Sequence, residues 1–168
     1  MIGAEFCRVM ARYNQWQNDG LLAEAEAIGD AARRAERGAF FGSIFGTLNH
    51  LLWGDRMWMS RFDGWDKPAV GIADSPRLMA EWPAYRTVRA EADARILDWA
   101  GRLDDAALQG DLAWYSGAIG ADVRRPLALC VQHFFNHQTH HRGQVHAMLT
   151  AAGARPGDTD LFVMPGLA

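Results

Sequence analysis

The chain opens on a helical alternation of apolar and polar positions. Phe6, Val9, Met10, Tyr13, Trp16, Leu21 and Leu22 follow a period near 3.6 residues, which predicts a first helix over residues 3–28. Residues 29–38 are small, charged and short of large apolar groups, and they read as a connection. A second helix is predicted from Ser43, a capping residue, to Phe62. Phe45, Leu48, Leu52 and Met59 form its apolar stripe, with Ile44, Leu51 and Trp58 beside it, while His50 shares another side with Trp53 and Met57. The turn-rich segment DGWDKPAVGIADSP then breaks the period. A third helix is expected to begin near Ser75 and Pro76 and to kink or restart at Pro83. Its buried face would carry Leu78, Trp82, Tyr85, Val88, Ala92, Ile96, Trp99 and Leu103.

Between Gly110 and Pro126 the helical period gives way to alternation, aromatics and a glycine-bounded turn, which fits a short β-hairpin or an ordered loop. Pro126 is placed to open a fourth helix at its first position, and Gly153 with Pro156 closes it. The tail TDLFVMPGLA is apolar enough to pack back on the helices. Four long amphipathic helices with one short β insertion before the last make an all-α fold. The expected form is an up-down four-helix bundle in a single domain over residues 1–168.

Composition narrows what such a bundle does. Its 168 residues, 49% of them hydrophobic, suffice for one well-filled core and not for two ordinary domains. A net charge of −3 without a basic run argues against nucleic acid as the main partner. No stretch approaches a membrane span, and Glu5 and Arg8 interrupt the place where a signal peptide would need an apolar run. The expectation is a cytoplasmic protein. Cys7 and Cys130 are too few and too far apart for a disulfide framework and read as buried free thiols. A Cys130 thiolate sharing an ion with His141 would have to bridge more than about 10 Å of helix.

The chemistry concentrates in one stretch, CVQHFFNHQTHHRGQVHAML, which holds five of the chain's six histidines. Residues four apart on a helix lie about 40° from each other, so His133, His137 and His141 form a slanting row. His140 flanks the row and His146 falls on the opposite side. Two imidazoles at this spacing can aim at one ion without bending the backbone, and His137 with His141 is the best such pair. A solvated histidine face or hydrogen-bonded core histidines are the plainer readings of the same run. His50, alone outside the cluster, has Gly46 and Gly54 one turn to either side, an arrangement that clears space around its imidazole. Facing helices of a bundle would bring His50, His137 and His141 around one divalent metal ion, with a position left for water or substrate. His133 or His140 replaces a ligand if the helix is rotated.

Other polar neighbours admit two roles each. Gln144 reaches the ion's solvent side or bonds to backbone at the edge of the core. Asn49, Asn136 and Asp55 are candidates to orient the histidines from behind, against ordinary helix-packing roles. Arg142 suits a structural ion pair. Trp16, Trp53 and Trp58 suit the core or a dimer face, and Trp53 also suits a pocket wall.

Three stretches, RYNQWQN, SIFGTLNHLLWGDRMWMSRF and HFFNHQTHHRGQVHAML, together resemble the DinB family of metal-binding four-helix bundles, the DinB/YfiT-like group. The NHQTHHRGQ motif paired with the upstream LNH carries the likeness, which spans nearly the whole chain. It implies one histidine ligand from the second helix and two from the last, matching His50, His137 and His141. It also implies zinc, nickel or another divalent ion, and a homodimer; wide apolar faces on two helices point the same way. The broader superfamily is similar to thiol S-transferases and isomerases that use bacillithiol or mycothiol, so a low-molecular-weight thiol is an expected cofactor. The functions that follow are a metal-dependent transferase or hydrolase acting on a small molecule, or a metal-stabilised binding or stress-response protein without chemistry.

Overall fold

The computed structural model describes residues 2–117 and 119–166. Four long helices form the body: α1 (Ala4–Ala27), α3 (Ile44–Phe62), α4 (Trp82–Arg102) and α5 (Leu127–Ala151), with a one-turn helix α2 (Asp30–Arg34) after the first. Strands β1 (Asp111–Ser116) and β2 (Ala121–Pro126) pair antiparallel, with Trp114 opposite Val123, and lead directly into α5. The hairpin expected before the last helix is present, although Ala118 at its turn lies outside the described residues.

Contacts between named residues give the helix directions. Asn14 meets Asp93 while Glu26 meets Trp82, so α1 and α4 run opposite ways. Tyr85 reaches Leu48 and Trp99 stacks on Phe62, so α3 and α4 run together. Phe6 packs on Phe135 and Asn14 accepts from Arg142, so α1 and α5 also run together. The order is therefore up, down, down, up. Two parallel neighbours in succession need a connection that returns along the bundle, and residues 63–81 make that return against α3, whose nineteen residues span about 28 Å.

That return path changes the third helix. A single helix from Ser75 is not formed: Ile72–Arg77 is a 3₁₀ segment, and α4 starts at Trp82 with Pro83 in its first turn. Pro83 lacks the N–H that a continuing helix would need, whereas the first turn leaves that group unpaired in any case. The restart at Pro83 is thus the true start. Ser75 caps no α-helix.

Elsewhere local signals hold. Ser43 accepts from the Gly46 N–H at 2.9 Å and caps α3. Gly153, at φ 87°, ends α5 in a backbone conformation that glycine adopts without strain. The 29–38 connection contains α2 because Arg33, buried, donates to the Ala25 carbonyl and lies 4.3 Å over the Trp82 ring. Ile44, Leu52, Tyr85, Ile96, Phe134, Phe135 and Leu149 fill the core with little or no exposure. Both cysteines are free and buried.

The tail returns to α1, through Tyr13 to the Thr159 carbonyl and Gln17 to the Asp158 carbonyl, and Met164 is buried. Phe162 stays exposed, and Leu167 and Ala168 lie outside the described residues. Among α-helical residues only Leu129 is a strongly exposed large hydrophobe; the rest, such as Phe40, Tyr115 and Ile119, sit on connections and the hairpin. No described helix is long and apolar enough to cross a membrane.

Candidate metal centre

Antiparallel packing of α3 on α5 brings the two histidine-bearing segments together. His50 comes from the second turn of α3, and His137 and His141 from the middle of α5. One ring nitrogen from each lies within 4.8 Å of the others. The Nε2 atoms of His50 and His137 are 3.2 Å apart. An ion bound tetrahedrally at about 2.1 Å would hold its nitrogens about 3.4 Å apart, close to the spacing of the His50–His137 pair.

Hydrogen bonds behind two of the rings set their tautomers. Ser75 gives its hydroxyl proton to the Ile72 carbonyl at 2.6 Å, so its oxygen accepts from His50 Nδ1–H at 2.8 Å. His141 Nδ1–H donates to Gln144 Oε1 at 2.7 Å. Each bond leaves an Nε2 lone pair free to face the cluster. Gln144, a candidate for the surroundings of the ligands, therefore stands behind His141 and also lines the neighbouring cavity. His137 Nδ1 is buried and has no hydrogen-bond partner among the described residues.

The three rings are held neutral. Burial, reinforced by mutual repulsion, pushes His50 down to about 4 and His137 to about 3. Burial also lowers His141, against the opposing bond to Gln144. Neutral imidazoles crowded together, with the lone pairs of His50 and His141 aimed inward, fit a divalent metal ion.

Glycines make the approach possible, in a different way from the one their spacing suggests. A Cβ on Gly54 would lie 2.8 Å from His137 Cε1, so the space it clears belongs to His137. A Cβ on Gly46 would lie 2.3 Å from the Phe41 carbonyl. Gly46 thus admits the Phe41 backbone, and the Phe41 ring stacks on His50 with centres 3.7 Å apart and planes 19° from parallel. Phe41 and Ser75 are the site residues that sequence reasoning missed. Both lie on connections, and Ser75 carried a competing signal as a helix cap.

The remaining candidates separate. Asn49 faces away from the ring cluster and clamps Met79, accepting from its N–H at 2.9 Å and donating to its carbonyl at 3.2 Å. It acts on the connection that carries Ser75. Asn136 is exposed and has no described hydrogen bond. Asp55 lies deeper, accepting from Arg89 at 2.6 Å and from Gln138 at 2.9 Å. Arg89 also pairs with Asp93 at 2.7 Å, and Asp93 accepts from Asn14 and Asn18. Among the described residues Arg142 forms no ion pair: it donates to Asn14 and Thr139 and is held down to about 10 by burial. His133 and His140 lie beside the three-nitrogen group and outside it, His133 against Trp58 and His140 against His141. His146 is on the far side of α5, toward Tyr13 and Gln17.

The cluster forms the floor of a cavity of about 990 Å³. Trp53, with its Nε1–H on the Val70 carbonyl, Trp58, Phe40 and Met57 line it, as do Trp114 and Tyr115 of β1. A helical bundle with an inward three-histidine group beside an aromatic cavity is compatible with a bound divalent metal ion. The sequence model of the DinB family matches residues 3–166, and the chain belongs to that family. No curated protein matches the chain.

Proposed function

We propose that the protein is a divalent-metal-dependent enzyme, with His50, His137 and His141 as the ligands and zinc or nickel as the ion. The reading that fits best is a thiol-dependent transferase, and hydrolysis is its close relative. The observation that carries the proposal is the placement of three neutral imidazoles at the floor of a large aromatic cavity, where a small molecule has access to them. An ion held by three neutral ligands keeps its full charge and lowers the pKa of a thiol or water at its open position. The chain's own residues supply the rest. Ser75 and Gln144 fix the tautomers, Phe41 and Trp53 flank His50 and hold water away, and the cavity orients an apolar electrophile.

Metal content of protein purified without a metal-affinity tag, measured beside His50→Ala, His137→Ala and His141→Ala, tests the ligand set. About one equivalent in the wild type and loss in all three variants is the expected result. The metal-loaded protein should then couple a low-molecular-weight thiol to an electrophile such as chlorodinitrobenzene, with activity lost on chelation and restored by zinc or nickel. Metal binding with no turnover across a panel of thiols, electrophiles and esters would replace the enzyme by a metal-stabilised binding protein.

A further inference from the structure

Past the histidines, the cavity wall carries a cation without a counter-charge. Arg61 lies two turns beyond Gly54 on α3, with its guanidinium carbon 4.5 Å from the Trp58 ring centre and 5.4 Å from that of Trp114. Among the described residues no carboxylate lies within 4.0 Å of it, and it makes no hydrogen bond. The cavity lining contains no aspartate or glutamate, while Lys67 adds a second positive charge. Partial burial opposes the charged form of Arg61.

Stacking against two indoles accounts for part of this arrangement, since it fastens the β-hairpin to α3. It satisfies only the faces of the guanidinium. The five N–H donors lie in the plane of the group, and their fork matches a carboxylate or phosphate edge-on. The side chain folds back over Trp58, toward the N-terminal end of α3 and hence toward the histidines. From Trp58 the path continues to His133, whose ring is 5.2 Å away, and on to His137 at 5.9 Å. Seven residues of helix separate Gly54 from Arg61, a distance of about 10 Å along the axis.

We propose that Arg61, framed by Trp58 and Trp114, is an anion-recognition subsite that selects amphipathic carboxylates: molecules with an acidic end on Arg61 and an apolar body reaching to the three histidines. The proposal deepens the functional reading above by naming the substrate class, and it rests on that reading for the identity of the reacting end. Its test does not depend on turnover.

The probes are ω-mercapto-octanoate and its primary amide, which differ in charge and little in shape. Binding is followed by calorimetry and by tryptophan fluorescence, on metal-free and zinc-loaded protein. The carboxylate should bind at least about tenfold more tightly than the amide in both forms. Arg61→Gln should abolish the preference, and Arg102→Gln, an exposed arginine outside the cavity lining, should leave it. Equal binding of the two probes, no measurable binding of either, or a preference that survives Arg61→Gln would overturn the subsite. If Arg61→Gln does not fold, Arg61→Lys serves: an ammonium lacks the planar fork, so the preference should fall severalfold, and an unchanged preference is a refutation. Failure of the metal reading has a different signature. In that case zinc does not bind or does not tighten the thiol, while the preference for the carboxylate persists.

Discussion

Ser75 stands 2.8 Å from Nδ1 of His50 and hands its own proton to the Ile72 carbonyl, so a residue on a connection decides which nitrogen of a histidine faces the cluster. Ser75→Ala removes the acceptor and frees the ring to rotate or to change tautomer. Metal affinity should drop about 10- to 100-fold, the usual cost of losing an outer-shell partner. Gln144→Leu should do the same to His141. Competition with a chromogenic chelator measures both, and unchanged affinity in either variant would remove that residue from the site.

Gly54→Ala separates site from fold. Alanine is the better helix former by about 1 kcal/mol, yet the added methyl would stand 2.8 Å from His137. The metal-free variant should therefore melt no lower than the wild type while binding metal at least about tenfold more weakly. A fall in melting temperature without loss of affinity would show that the contact is absorbed elsewhere.

Beneath the site, Asp55, Arg89 and Asp93 form a buried ion cluster with neither acid more than 2% exposed. Arg89 holds both acids, so Arg89→Ala strands two buried carboxylates and should cost about 3–5 kcal/mol in denaturant unfolding, as is usual for breaking a buried pair. Asp55→Ala leaves Arg89 paired with Asp93 and should cost less. It also removes the acceptor of Gln138 and so loosens α5 against α3. Since Asp55 and Arg89 share one network, their double variant should lose less than the two single losses added together.

Acid should destabilise the metal-free protein through its histidines. His50 and His137 fall from 6.5 to about 4 and about 3 in the folded state. Between those values and 6.5 the unfolded chain binds more protons, so stability is full above about pH 6.5 and declines as pH falls toward 4 and 3. Urea midpoints across this range should drop more steeply for the wild type than for His137→Gln. Bound metal should raise the whole curve and carry the decline on to lower pH, because it keeps protons off the folded chain's nitrogens while the unfolded chain still takes them up. Parallel curves for wild type and variant would refute the assignment.

The chain's short-range patterns carried the bundle and much of the site. The 3.6 period specified the long helices, Ser43 and Gly153 marked two of their ends, and spacing of four residues placed His137 and His141 on one face. His50 lies off the apolar stripe of its helix, and it is the bundle form together with the DinB-like LNH motif that matches it to that pair. Other features were settled only by tertiary structure. That α3 and α4 run in parallel obliges residues 63–81 to return along α3, and this return delivers Ser75 to His50 and a carbonyl to Trp53. The space cleared by Gly54, the Phe41 stack and the Arg89 cluster likewise join residues distant in sequence. Local propensity responds to neighbours within a turn or two, whereas these contacts depend on where a connection must travel.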